Sequence, residues 1–393
     1  MPTRNQTGRS TKRRSANLLP VAGTPRSGSP RTPLKGLLRE NTCPACGHHV
    51  AMSFYDGGDH PLTTLAWPQN RAEAQMMPLL PHDFVRCVDC GHVYNSKFDY
   101  ADVPYSDKPN LMFNRGSIWS EHLESVRRII SENLPPNPTV VEIGCGDGHL
   151  LRALAESIGS GRFIGFDPNA DINDADGLIE GRPMLFDPAE HIDSIKPDLL
   201  ISRHVLEHLL NPLGFVQALG FAASWAGTPT QLFIEVPCID RVFAQTRTVD
   251  FFYEHNSHFT MKSLHRMLDR CATNVRLVDT SYNGEVLYAL ADFGVREEQI
   301  AFAQQALQFR AETKISRVRL RRQIDDLANS GQSVAIWGGT GKAAAFIHQN
   351  GMDADRFPIV VDSDATRRVR LSPERARRFV LPSFFSTIRS TWC

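Results

Sequence analysis

Long apolar runs are missing from this 393-residue chain. None approaches the roughly 18–20 residues a membrane-spanning helix needs, so no membrane partner is expected. A dominant charge sign is missing too: 43 Lys and Arg meet 43 Asp and Glu, a formal net charge of +0. The molecule as a whole therefore offers no electrostatic case for nucleic acid or an anionic membrane. Cysteine is sparse, with eight residues, and unevenly placed. Four form two close pairs, Cys43/Cys46 and Cys87/Cys90, while Cys145, Cys238, Cys271 and Cys393 are scattered. That usage fits a reducing compartment, the cytoplasm, with one metal site, and not a secreted disulfide framework.

What is present is an ordinary globular composition. An apolar content of 41% is enough for sizeable cores, and the length suits two or three domains. Residues 1–40 stand apart, with nine Lys and Arg against the single acid Glu40 among many Ser, Thr, Pro and Gly. Such a segment buries too little to offset its ordering entropy, so it reads as a disordered basic extension. It also lacks the apolar stretch of about 7–15 residues that a signal peptide carries.

Residues 41–105 hold the cysteine pairs. Cys43-Pro44-Ala45-Cys46-Gly47 and Cys87-Val88-Asp89-Cys90-Gly91 are matched knuckles. Two residues between thiols let both face one ion, and the following glycine relaxes the turn. Four thiolates suit a closed tetrahedral zinc site with a structural role. His48, His49 and His92 lie close enough in sequence to compete as ligands, but the four cysteines suffice.

Residues 106–296 alternate strand and helix patterns. A helix is expected over Ile118–Leu134. Strands follow at Thr139–Ile143, Arg162–Phe166, Pro183–Phe186, Asp198–Ser202 and Gln231–Val236, and again at Val275–Val278 and Val286–Ala291. Helices are expected over Leu150–Ile158, Pro212–Ala223 and Met261–Cys271. That alternation implies a mostly parallel α/β sheet covered on both faces, a Rossmann-like arrangement. A linking helix is expected over residues 297–327. Residues 328–393 read as half of a nucleotide-binding-type domain, with Gly338-Gly339-Thr340-Gly341 between strand and helix. The pattern stops after Thr366, and the half-domain reads as truncated.

The first strand runs into Glu142-Ile143-Gly144-Cys145-Gly146-Asp147-Gly148. Gly144, Gly146 and Gly148 permit a tight turn and close backbone approach to a ligand. Asp167 ends the second strand, 23 residues beyond Gly144, where a carboxylate can take both ribose hydroxyls. A dinucleotide site sets a helix N-terminus against a pyrophosphate. Glu142 and Asp147 would repel phosphate and instead suit a ligand with an amine and a sulfonium, which S-adenosylmethionine is. Asp187 follows the third strand and either accepts from the adenine amine or caps the next helix.

His204-Val205-Leu206-Glu207-His208 follows the fourth strand. It has the H-x-x-E-H spacing of one metalloprotease class, but no third ligand is apparent. Its place at a strand's carboxyl end instead puts one of His204 and His208, a helical turn apart, toward the cofactor cleft. After the fifth strand comes Phe251-Phe252-Tyr253-Glu254-His255-Asn256-Ser257-His258-Phe259-Thr260. Methyl transfer to carbon needs a base that removes a proton beside a carbonyl, and a histidine with a neighbouring carboxylate can serve. The bland alternative is a polar loop with Thr260 as N-cap.

In this order of parts the chain resembles the sugar C-methyltransferase family, which acts on nucleotide-linked keto-deoxysugars. The resemblance spans about residues 41–366. It implies a zinc domain, a class I S-adenosylmethionine-dependent methyltransferase domain and a C-terminal Rossmann-like half. The family's histidine after the fourth strand matches His208. Its Tyr-x-Glu-His motif places Glu254 and His255 as acid and base, with Tyr105 the candidate for a tyrosine at the end of the zinc domain. His255 would then deprotonate the carbon beside the ketone, and the enolate would attack the methyl group. Phe252 stands where the family has tyrosine, a hydroxyl that Tyr253 could replace. The competing readings are a small-molecule O- or N-methyltransferase and a zinc-bearing binding protein with a degenerate core.

Overall fold

The computed structural model describes residues 33–65, 67–105, 114–170, 172, 177–338 and 340–361, and the backbone of 378–380. Most of the basic extension, and the truncation expected after Thr366 apart from that short backbone segment, lie outside the described residues. The chain divides into two compact units, Met1–Arg296 and Glu297–Cys393. No helix among the described residues is long and apolar enough to cross a membrane.

Described chain begins before residue 41. Strand β1 (Leu38–Glu40) pairs antiparallel with β2 (Val50–His60), inside the stretch read as extension. The first cysteine knuckle joins them, closed by Gly47 N–H donating to the Cys43 carbonyl at 2.8 Å. Helix α1 (Arg71–Met76) leads to β3 (Leu80–Cys87), which returns along β2, and β4 (Val93–Asn95) completes the turn. Gly47 and Gly91 sit at φ 73° and 81°, where a side chain would be strained. The fifth strand is only Ser257–His258 and comes from far downstream, with Ser257 opposite Tyr94. The cysteine-bearing sheet thus grips the segment that carries His255.

The central sheet follows helix α2 (Ser117–Glu132). Its elements are β5 (Thr139–Ile143), α3 (His149–Ile158), β6 (Arg162–Phe166), β7 (Glu180–Arg182), α4 (Pro188–Ile195), β8 (Leu199–Arg203), α5 (Pro212–Trp225) and β9 (Thr230–Pro237). After α6 (Ile239–Gln245) and the downstream strand just described, β10, come α7 (Met261–Cys271), β11 (Asn274–Ser281) and β12 (Val286–Phe293). The spatial order is β11-β12-β9-β8-β5-β6-β7, all parallel except β12. Alternate residues of the buried strands pack opposite ways. Val141, Ile143, Leu200, Leu232 and Ile234 join α4, α5 and α7 on one face. Val140, Leu199, Ile201 and Phe233 join α2 and α3 on the other. Near-continuous apolar strands are what a sheet covered on both faces requires.

The third strand is displaced from its expected place at Pro183–Phe186. Pro183 has no N–H for the ladder, so pairing stops at Arg182. Phe186 is instead a core plug, edge-on to Phe166 at 5.0 Å. Helix α6 was not anticipated from the sequence, and α4 only as the helix that Asp187 could cap.

The second unit has its own small core of Ile324, Ile347, Met352 and Phe357. Helix α8 runs Glu297–Asn329, two residues beyond its expected end. Three parallel strands follow, β13 (Ala335–Trp337), β14 (Ile359–Val361) and β15 (Arg378–Val380), with α9 (Lys342–Gln349) between the first two. Strand β15 lies in the stretch where no pattern was legible.

Candidate active site

Strand order reverses between β5 and β8, and open α/β sheets bind ligands outside the carboxyl ends of the strands at such a point. The glycine turn leaves β5 there. Gly144, Gly146 and Gly148 all have positive φ, 73°, 54° and 74°. A Cβ on Gly144 would lie 2.4 Å from Val205 Cγ2, so the turns after β5 and β8 abut without room for a methyl group. Asp167 closes the turn: Gly146 N–H donates to its Oδ2 at 3.1 Å, and Asn169 N–H to its Oδ1 at 2.8 Å. Asp147 is exposed and accepts from His149 N–H at 3.1 Å at the start of α3.

Glu142 is only 3% exposed, and among the described residues its Oε2 has no hydrogen-bond partner. Burial pushes its pKa up to about 8. Arg203 opposes that rise, and Glu235, Asp147 and Asp167 add to it. From its sequence position alone Glu142 would be a standing negative charge. In the structure it is a buried carboxyl that a cation would ionise.

Beside it lies a buried ion network that the sequence reading missed. Glu235 in β9 is fully buried and meets Arg203 at 2.8 Å, His204 at 3.0 Å and His122 at 3.1 Å. Burial opposes its charge, but the Arg203 charge and the bonds from His122 and His204 hold its pKa well below the carboxylate range. A glutamate inside an otherwise apolar strand was the signal available. His204 sits at φ 52°, off any helix, with Nδ1 3.2 Å from Glu207 and Nε2 3.0 Å from Glu235. Burial works against its charged form, but the two carboxylates outweigh that and push its pKa up to about 9. His204 and His208 therefore do not share a helix. The chain makes a tight 3-10 turn over Leu206–His208, and both His204 nitrogens are committed to the network. Asp187 is the N-cap of α4, accepting from Ala189 N–H at 2.8 Å, so the capping alternative describes its geometry.

Tyr105, His208 and His255 do come together. His208 Nδ1 lies 2.8 Å from the Glu254 carbonyl and 3.1 Å from Tyr105 Oη. The Tyr105 hydroxyl also donates to that carbonyl. Asn169 Nδ2 donates to the Tyr105 carbonyl at 2.9 Å, tying it to the turn beyond β6. The rings of His208 and His255 stand 4.9 Å apart, and Phe252 lies 4.1 Å from His255. Burial, then the imidazoles of His208, His258 and His204, hold the His255 pKa well below the ordinary histidine value. His255 is thus neutral, with a lone pair to accept a proton.

Two expected roles are overturned. The Glu254 carboxylate does not adjoin His255. Its Oε1 accepts from the backbone N–H groups of Thr63, Thr64 and Leu65 at 2.7, 2.7 and 3.2 Å. Fully buried, it works as an anchor for that loop. Tyr253 cannot replace the hydroxyl missing at Phe252. It is fully buried on the opposite side of the segment, donating to Asp102 at 2.9 Å and accepting from Asp99 N–H at 2.8 Å. Residues 252–255 form a turn, closed by His255 N–H donating to the Phe252 carbonyl at 3.1 Å, which parts the two side chains.

Cys43, Cys46, Cys87 and Cys90 converge as buried free thiols, with ligand atoms within 4.8 Å of one another. Cys43–Cys90 and Cys46–Cys87 sulfurs are each 3.7 Å apart. Sulfurs at the corners of a tetrahedron, about 2.3 Å from a central ion, lie about 3.8 Å apart. His92 stays outside the cluster, its ring 4.6 Å from Phe259. Arg270 donates to the Cys46 carbonyl and Leu213 N–H to Pro44, which fasten the knuckle to α7 and α5.

Comparison with known proteins agrees in kind. A methyltransferase domain model matches residues 118–275, and a C-methyltransferase C-terminal domain model matches residues 280–377. C-methyltransferase NovU of Streptomyces niveus is 22% identical over 358 residues, 84% of this chain and 83% of that one. Among solved structures, magnesium protoporphyrin IX methyltransferase from Synechocystis with bound SAH is similar at TM-score 0.35 and 14% identity, over 46% of this chain and 90% of that one. Human N-acetylserotonin methyltransferase in complex with SAM is similar at TM-score 0.32 and 15% identity, over 44% and 55%.

Proposed function

The chain is an S-adenosylmethionine-dependent methyltransferase of the C-methyltransferase family, and we propose that its acceptor is a nucleotide-linked keto-sugar or related keto compound. The observation that carries this reading is the neutral His255 beside His208 and Tyr105, past the carboxyl ends of the strands. A carbon next to a ketone gives up its proton only to a base with an open lone pair, and His255 has one. Tyr105 is held by burial, then by the nearby Glu254 charge, well above the usual tyrosine pKa. It stays protonated, and its one proton goes to the Glu254 carbonyl, so Tyr105 positions the Glu254–His208 corner of the site.

Gly144, Gly146 and Gly148 would seat the methyl donor, with Asp167 toward the ribose and Glu142 toward its cationic end. The orphaned Glu142 oxygen and the side-chain-free turn fit a ligand of that charge and shape. When bound, S-adenosylmethionine supplies an electrophilic methyl group. His204 and Asp187 are left out of the donor site, because their polar atoms are engaged elsewhere. The four thiolates would hold a structural zinc ion, a coordinatively full site with no place for substrate.

A second reading of the base rests on one observation. His208 Nδ1 faces a carbonyl and so must carry the proton, which leaves Nε2 bare and fixed in orientation. The test is a screen of nucleotide keto-sugars with labelled methyl donor, using His255→Ala and His208→Ala. Loss of turnover in His255→Ala, with donor binding near normal, supports His255. Full turnover in His255→Ala and none in His208→Ala moves the base to His208.

A further inference from the structure

We propose that Glu207, His208 and His255 form a binding site for a divalent transition-metal cation, and that an ion held there blocks methyl transfer. One ligand atom from each of the three lies within 4.8 Å of the others. With metal–ligand distances near 2.1 Å, such atoms must close to about 3–3.5 Å, a movement that rotation of the half-buried His255 side chain can supply while His208 keeps its bond to the Glu254 carbonyl.

Two further features point to a cation. The Glu207 carboxylate is 1% exposed, with Oε1 on His204. Among the described residues its Oε2 has no hydrogen-bond partner. A buried carboxylate oxygen without a donor is costly, and a metal ion satisfies it. The second is the tautomer of His208. Its Nδ1–H points at the Glu254 carbonyl, 2.8 Å away, so Nε2 is the nitrogen with the lone pair. Metal-ligating histidines are held in this way, the remote N–H donating to a backbone carbonyl.

Two imidazoles and one carboxylate suit Zn(II), Co(II), Ni(II) or Fe(II) and not Ca(II) or Mg(II), which prefer oxygen alone. This donor set differs from the all-sulfur cluster. It shares His208 and His255 with the proposed proton transfer, and an ion coordinated to those nitrogens takes the lone pairs that proton transfer uses. Binding and turnover are therefore exclusive.

The test is cobalt titration of the untagged full chain. Expected is one equivalent with thiolate-to-cobalt absorption from the four cysteines. A second equivalent should show only the weak visible bands of nitrogen and oxygen ligands. Glu207→Gln and His255→Ala should each lose the second equivalent and keep the first, whose spectrum reports that the variant is folded. Filling the second site should slow methyl transfer about a hundredfold, reversed by a chelator too weak to strip the thiolates. A single equivalent in the wild type, a second one unchanged in both variants, or undiminished turnover with the site filled would overturn the proposal. Cobalt binding with an active His255→Ala enzyme would instead remove His255 as the base and leave the cation site standing.

Discussion

Glu254 shows how far adjacent residues can differ in role. Sequence adjacency put a carboxylate next to a candidate base, yet the backbone turns the two side chains apart. Three amide N–H groups from residues 63–65 converge on Glu254. Replacing it with alanine leaves those donors unsatisfied, and a charge-assisted bond is worth about 2 kcal/mol. Glu254→Ala should lower the unfolding free energy by at least that much and expose residues 63–65 to protease. Unchanged stability would show that the anchor contributes little. Glu142 makes a second prediction. Its pKa is pushed up to about 8, so it is largely protonated at neutral pH until a cation arrives. Binding of S-adenosylmethionine should release a proton near pH 7, visible as a heat that varies with buffer ionisation enthalpy. Glu142→Gln should abolish that release. The histidines set a pH window for stability. His258 is lowered from 6.5 to about 3, so its contribution is present above pH 6.5 and lost as pH falls toward 3. His204 is raised to about 9, so its contribution is present below pH 6.5 and lost as pH rises through 9. Thermal midpoints should therefore fall on both sides of that region.

At the scale of elements, the strands with continuous apolar runs were readable from sequence. Thr139–Ile143 and Arg162–Phe166 matched to the residue, and so did helix Met261–Cys271, whose Thr260 and Ser263 form a reciprocal cap. Pro183–Phe186 failed because an apolar run guarantees neither pairing nor burial: Met184 and Leu185 are exposed, and only Phe186 enters the core. The half-exposed residues of β7 carried no such signal. Strand β10 was not legible at all: two residues long, it exists only because a distant β4 offers an edge. The abutting turns after β5 and β8 give a test at this scale. Gly144→Ala puts a methyl group against Val205 at positive φ. It should abolish donor binding in calorimetry, and retained binding would remove the turn from the donor site.

At the scale of the molecule, the chain leaves the cysteine-bearing sheet after β4, returns from the methyltransferase sheet to add β10, and then leaves again for β11. The segment that carries His255 ends in β10, and β10 is the outer strand of the cysteine-bearing sheet. The proposed zinc, remote from the chemistry, would thereby help to place the proposed base. Cys87→Ser should lower turnover strongly while donor binding, which depends on the β5 turn, persists. Equal loss of both would mean general unfolding. The sequence made the glycine turn and the cysteine pairs legible because their spacing is local. The Glu235 network and the Tyr105–His208–His255 grouping are assembled across α2, β8, β9 and the loops that follow the strands, and no local spacing encodes them. Under the proposed function the methyl group goes to the carbon beside a ketone. This is tested most directly by turning over a nucleotide-linked keto-sugar with methyl-13C-labelled S-adenosylmethionine and reading the 13C coupling of the product. A one-bond carbon–carbon connection that vanishes in His255→Ala is the predicted result; label on oxygen or nitrogen, or transfer undiminished in that variant, would contradict it.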